Sequence, residues 1–204
     1  MNVEKYRQPR AEKERLILAE GIDDVLVMEA IAREEGLEDA IQFLSYSQTA
    51  RVGDFLDLLA RDAGFDKVRK VGLTRDADLD PQAAKQSLAG AWGRTESTLR
   101  AIGVGIPAHD FFVLPDDANA GRLENLCLRA PAFPEVLRCA EEMHQCATAV
   151  ADYEIDREKS IVSAYLAMMR QSRLQVGTGA QAGCWNLGSD AFGPLRNFIR
   201  RMGA

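Results

Sequence analysis

The chain has 204 residues, 47% hydrophobic and 27% charged, which suits one folded domain with an extension and excludes the weakly hydrophobic, highly charged regime of disordered chains. A net charge of −6 and a pI near 5.1 weigh against a general polyanion binder, because nonspecific nucleic-acid affinity comes mainly from Lys and Arg. No apolar run approaches the ~20 residues that span a bilayer. The charged start Met1-Asn2-Val3-Glu4-Lys5 and four cysteines without CxxC spacing lead us to expect a cytoplasmic protein with reduced thiols and no membrane contact.

Residues 1–13 form a charged lead-in, and 14–204 read as one domain whose part from about 130 onward is a helical extension. Arg15-Leu16-Ile17-Leu18-Ala19-Glu20 is a short buried strand ending at Gly21, where the chain can turn sharply. A helix follows from Asp23, with an apolar face of Val25, Leu26, Met28, Ala30 and Ile31, and stops at Gly36. Residues 40–46 give a second strand, followed by a helix through Val52, Phe55, Leu56, Leu58 and Leu59 to Gly64. Residues 67–74 give a third strand running into Arg75-Asp76-Ala77-Asp78-Leu79-Asp80-Pro81, where Asp80 caps and Pro81 opens a helix to about Gly103. A fourth strand spans 109–114 and is closed by Pro115. Helices follow near 134–149, 154–171 and 190–202, and the glycine-rich 177–183 reads as a flexible loop. Strands alternating with helices imply an α/β fold, a mostly parallel sheet of about four strands with helices on both faces.

In such sheets ligands bind beyond the carboxyl ends of the strands, and acidic residues gather there: Glu20 after the first strand, Asp24 one turn into the next helix, Asp76 and Asp78 after the third strand. If still extended, Asp76 and Asp78 project to one side roughly 6–7 Å apart. Oxygen ligands from several strand ends, leaving room for a substrate phosphate, suit Mg²⁺ or Mn²⁺ better than zinc. The plainer reading of any one such acid is a helix cap, the role expected of Asp23 and Asp80. Arg75, beside the acidic pair, either holds a substrate phosphate or pairs with Asp78 or Asp80.

The run Ala19-Glu20-Gly21-Ile22-Asp23-Asp24 resembles the TOPRIM signature E-G-x-x-D, and Asp76-Ala77-Asp78 resembles its D-x-D, in the same order and strand context. The TOPRIM family includes topoisomerases, bacterial primases, ribosomal-RNA maturases and the overcoming-lysogenization-defect (OLD) nucleases. The resemblance covers most of residues 14–165 and implies a TOPRIM-like, Rossmann-type fold and metal-assisted phosphodiester chemistry. Phe112-Val113-Leu114-Pro115-Asp116-Asp117 followed by Gly121-Arg122-Leu123-Glu124 resembles the OLD branch, which implies Glu124 as a further metal ligand. Lys159 in Glu158-Lys159-Ser160 is similar to that branch's basic residue that assists the transition state. Those nucleases carry an ATPase domain, whereas this chain has no G-x-x-x-x-G-K-[ST] loop, so a separate ATPase partner enters as an expectation.

The remaining signals are weaker. His144 with Cys139 and Cys146 lacks the spacing of a zinc site, Gly177-x-Gly179 lacks the strand of a dinucleotide fingerprint, and Arg196, Arg200 and Arg201 read as a solvated face. The leading expectation is a Mg²⁺- or Mn²⁺-dependent phosphodiester hydrolase acting on DNA or RNA. Its metal ligands are Glu20, Asp24, Asp76, Asp78 and Glu124, with Glu20, Asp76, Asp78 and Lys159 catalytic and Arg75 on substrate phosphate. Rival readings are a non-catalytic scaffold that binds a partner or nucleic acid, and a hydrolase of small phosphate esters. Oligomeric state stays open, a homodimer included.

Overall fold

The computed structural model describes residues 3–47, 51–171 and 174–204. Four strands, β1 (Arg15–Ala19), β2 (Gln42–Ser45), β3 (Lys70–Asp76) and β4 (Ala108–Leu114), form one sheet in the order β2-β1-β3-β4. Every neighbouring pair is parallel, with Ile17 opposite Phe43 and Gly72, and Leu73 opposite Phe111. Parallel pairing requires crossovers, which are supplied by α1 (Ile22–Glu34), α2 (Val52–Leu59) and α3 (Pro81–Ile102). The result is a Rossmann-like α/β fold, as the alternation of strands and helices predicts.

Period-2 alternation along the strands builds two cores. Leu16, Leu18, Leu44, Val71, Leu73 and Val113 pack against α2 and α3. Ile17, Ala19, Phe43, Phe112 and Leu114 pack against α1 and the C-terminal helices: α4 (Leu123–Leu128), α5 (Pro134–Val150), α6 (Arg157–Ala167), α7 (Val176–Gln181) and α8 (Gly193–Gly203). Gly72 is required where α8 meets the sheet, since a Cβ there would lie 2.8 Å from the Phe198 ring. The middles of the strands are apolar because both faces are covered, and the charged residues Arg15, Lys70, Arg75, Asp76 and Asp110 sit toward their ends.

Several boundaries behave as expected. Asp80 caps α3, its carboxylate accepting from the backbone of Gln82 and Ala83 at 2.9 and 3.0 Å, with Pro81 in the first turn. Gly36 and Gly103 follow their helices with φ of +68° and +75°, the left-handed geometry that glycine tolerates. The charged lead-in packs on the domain: Tyr6 is buried and donates to Glu29 at 2.7 Å.

Two expectations are corrected. Residues 177–183 are not a flexible loop, because 176–181 form α7, packed on α1 so closely that a Cβ on Gly177 would lie 2.6 Å from Leu26 Cβ. The glycines there serve close packing. The short helix α4 lies between Gly121 and the extension, where no helix was predicted. Among the described residues no helix is long and apolar enough to cross a membrane.

Candidate metal centre at the strand ends

The carboxylates meet at the carboxyl edge of the sheet. β1 turns at Gly21 into α1, and Asp24, at the third position of that helix, reaches back to accept from the Gly21 backbone at 2.8 Å. This holds the Asp24 side chain in a buried position at the helix start, where the helix dipole favours negative charge. Asp76 ends β3. Alternation turns it toward the α1 side of the sheet, where one of its oxygens accepts from Leu123 at the start of α4, at 3.1 Å.

The Asp24 carboxyl is pushed well above the usual range, by burial first. The charges of Asp76, Glu20 and Asp23 push it further, against the opposing pull of the Gly21 hydrogen bond. Asp76 is pushed up to about 7, by burial first and then by the charges of Glu124, Glu20 and Asp78. Glu20, Asp24, Asp76, Asp78 and Glu124 therefore form one electrostatic neighbourhood centred on Asp76. Among the described residues none of these five forms an ion pair with Lys, Arg or His.

On one side of this centre a cleft of about 330 Å³ is lined by Glu124, Lys159 and Asp23 together with Val162, Leu166 and Val176. The structure thus brings Lys159 and Glu124 to one opening. Asp23 is not the cap of its own helix, as the sequence suggested. Its carboxylate accepts from the Gly177 backbone at 2.8 Å, in the first turn of α7, because α7 lies across the start of α1. Burial raises its pKa, with Glu124 adding to the effect. Only the tertiary contact between α1 and α7 reveals this role.

The other site residues spread outward. Asp78 is not extended: β3 stops at Asp76, and Asp78 has φ +50° and exchanges backbone hydrogen bonds with Gly121 at 3.0 and 2.8 Å. It therefore faces a different hollow, of about 320 Å³, beside Arg122 and Glu158. Arg75 pairs with neither Asp78 nor Asp80. One residue before Asp76, it points to the opposite face of the sheet and donates to Ser87 on α3 at 3.1 Å. There it shares a third hollow, of about 150 Å³, with Glu20, Arg51 and Arg94. Arg51 and Arg94 escaped the sequence reading, although Ser87, Ala91 and Arg94 have the i, i+4, i+7 spacing of one helical face.

The donor chemistry fits a hard divalent cation: oxygen ligands only, mutually repelling, with Arg122 near Asp76 and Glu124 but in no ion pair with them. As the side chains stand, no three Asp, Glu, His or Cys residues among those described converge to hold one ion. Asp24 and Asp76 are fixed by backbone hydrogen bonds, so closing a ligand set requires the exposed Glu20 or the half-buried Glu124 to swing inward.

Residues 14–203 match the model of a family described as a protein of unknown function, DUF3226. No curated protein and no solved structure matches the chain. With the match running through all four strands and into the last helix, the protein belongs to the DUF3226 family.

Proposed function

We propose that the chain is a TOPRIM-type phosphodiester hydrolase that uses Mg²⁺ or Mn²⁺ and acts on DNA or RNA in the cytoplasm. One observation carries this reading: Asp76 sits partly desolvated among Glu124, Glu20 and Asp78, with Asp24 buried beside it and none of the five held in an ion pair among the described residues. A fold gains nothing from such a cluster, which costs stability while empty and is relieved by a divalent ion.

Asp24 and Asp76 would form the fixed side of the ion's cage, and Glu20, Glu124 and Asp78 the adjustable side. When bound, the ion polarises the phosphoryl group and lowers the pKa of a water. The chain's own residues do the rest. Lys159 enters from the cleft and balances charge on the phosphoryl oxygens. Glu20, exposed at the rim, is free to move a proton to or from the reacting oxygen. The four free cysteines, two buried and two exposed, accord with a reducing compartment. A separate ATPase is the partner this reading expects, since the chain has no G-x-x-x-x-G-K-[ST] loop of its own.

A second reading, hydrolysis of a small phosphate ester, is favoured by the acidic surface charge and by hollows no larger than about 330 Å³ around the centre. The test is Mg²⁺- and Mn²⁺-dependent cleavage of supercoiled plasmid, single-stranded RNA and a chromogenic phosphodiester by the wild type and by Asp76→Asn/Asp78→Asn. Nucleic-acid cleavage lost in the variant supports the leading reading, and turnover of the small ester alone selects the second. Absence of any turnover while calorimetry shows bound metal would leave the nuclease reading without support.

A further inference from the structure

We propose that the hollow between Arg51, Arg75 and Arg94 is a phosphate-binding subsite that takes a phosphomonoester dianion. It lies at the carboxyl edge of the sheet on the α2/α3 face, across β3 from the Asp76 side, and it stands whether or not the carboxylates hold metal.

Three elements aim positive charge at one small space. Arg75 arrives from the end of β3, Arg94 from the exposed face of α3, and Arg51 from the N-cap position of α2. Among the described residues no side chain caps the α2 N-terminus, so its first backbone N–H groups and the positive end of its dipole border the hollow. Arg94 lies against this first turn: its Nη2 is 3.1 Å from the point a Cβ on Gly53 would occupy. A glycine at position 53 is what lets the guanidinium settle there.

The guanidinium groups of Arg75 and Arg94 are only partly satisfied by the protein. Arg75 donates one Nη to Ser87, while its Nε is buried without an acceptor among the described residues. The Arg94 side chain has no hydrogen-bond or ion-pair partner among the described residues. Arg51 and Arg94 are exposed and Arg75 is half-buried, and together they line a hollow of about 150 Å³, less than half the volume of either neighbouring opening.

Charge selects the ligand. The charged residues that line the hollow are three arginines and the one glutamate Glu20, a positive formal balance that suits a phosphomonoester dianion better than the single charge of an internal phosphodiester. Glu20 at the rim favours a ligand whose phosphate enters while the rest stays outside. Two sources offer this group: a terminal phosphate on a nucleic acid, or inorganic phosphate and small phosphate esters.

The test uses the full chain in EDTA, titrated calorimetrically at constant ionic strength with inorganic phosphate, a 5′-phosphorylated dinucleotide and the same dinucleotide ending in a 5′-hydroxyl. Saturable phosphate binding is expected, weakened roughly ten- to a hundredfold in Arg94→Gln and in Arg75→Gln. Gly53→Ala weakens it by displacing Arg94, and Glu20→Gln tightens it. A phosphorylated dinucleotide bound more tightly than inorganic phosphate identifies a nucleic-acid end as the source, and equal affinity identifies small phosphates. The proposal is overturned if inorganic phosphate shows no saturable binding, if Arg94→Gln binds like the wild type, or if the 5′-hydroxyl dinucleotide binds as well as its phosphorylated form. Arg94 is exposed, so its variant decides the matter even if Gly53→Ala fails to fold.

Discussion

Asp76 shows how a single side chain links stability to chemistry. Its carboxyl titrates at about 7 in the folded chain against 3.8 as a free side chain, so the folded state holds its proton more tightly than the unfolded state. Stability therefore falls as pH rises from about 4 to about 7, and the penalty is complete above that. Asp24, raised in the same direction, adds to this loss. Metal-free protein is expected to melt at a lower temperature at pH 8 than at pH 5. Asp76→Asn, whose amide oxygen can still accept from Leu123, should shrink that difference and melt higher than the wild type at pH 8. Thermal unfolding in EDTA at the two pH values measures this, and equal slopes in both proteins would contradict it. At this scale the sequence was informative about residue type but not direction. Arg75 and Asp76 are neighbours in the chain, yet strand alternation sends them to opposite faces, while the left-handed turn at Asp78 removes it from the extended geometry that would have paired it with Asp76.

Among the elements, α7 is the one whose identity depended most on its surroundings. Its sequence Val-Gly-Thr-Gly-Ala-Gln has poor intrinsic helicity, since each interior glycine costs about 1 kcal/mol relative to alanine. Packing reverses that preference: the α1 backbone at Asp23 lies 2.9 Å and Leu26 Cβ 2.6 Å from where a Gly177 Cβ would sit, and Asp23 holds the Gly177 N–H. Gly177→Ala should therefore destabilise the chain by roughly 1–3 kcal/mol through overpacking. Gly90→Ala on the exposed face of α3, where nothing lies within 4 Å, should instead stabilise it by roughly 0.5–1 kcal/mol. Urea midpoints of the two variants test the contrast, and equal shifts of one sign would refute it. The strongly patterned elements needed no such help. The runs around Leu16 to Ala19 and Phe112 to Leu114 were legible as buried strands, and the Asp80-Pro81 start of α3 was legible because cap and first-turn chemistry act locally.

For the whole molecule, the centre couples ligand binding to folding. An ion bound only by the native state at a hundred times its dissociation constant adds about 2.7 kcal/mol. Saturating Mg²⁺ or Mn²⁺ should thus raise the melting temperature by several degrees relative to EDTA. Asp76→Asn should abolish the gain, and a shift of equal size in the variant would locate the ion elsewhere. The amino-acid sequence by itself determined the class of fold, the order of strands and helices, and the acidic residues that reach the strand ends, because hydrophobic period, helix caps and strand-end position are local properties. Only the tertiary structure decided which of those residues share a space. It set Glu124 and Lys159 on one cleft, turned Glu20 toward three arginines, and gave Asp23 to the start of α7. Those neighbours are brought together by the two packed faces of the sheet, and burial and charge act across space rather than along the chain.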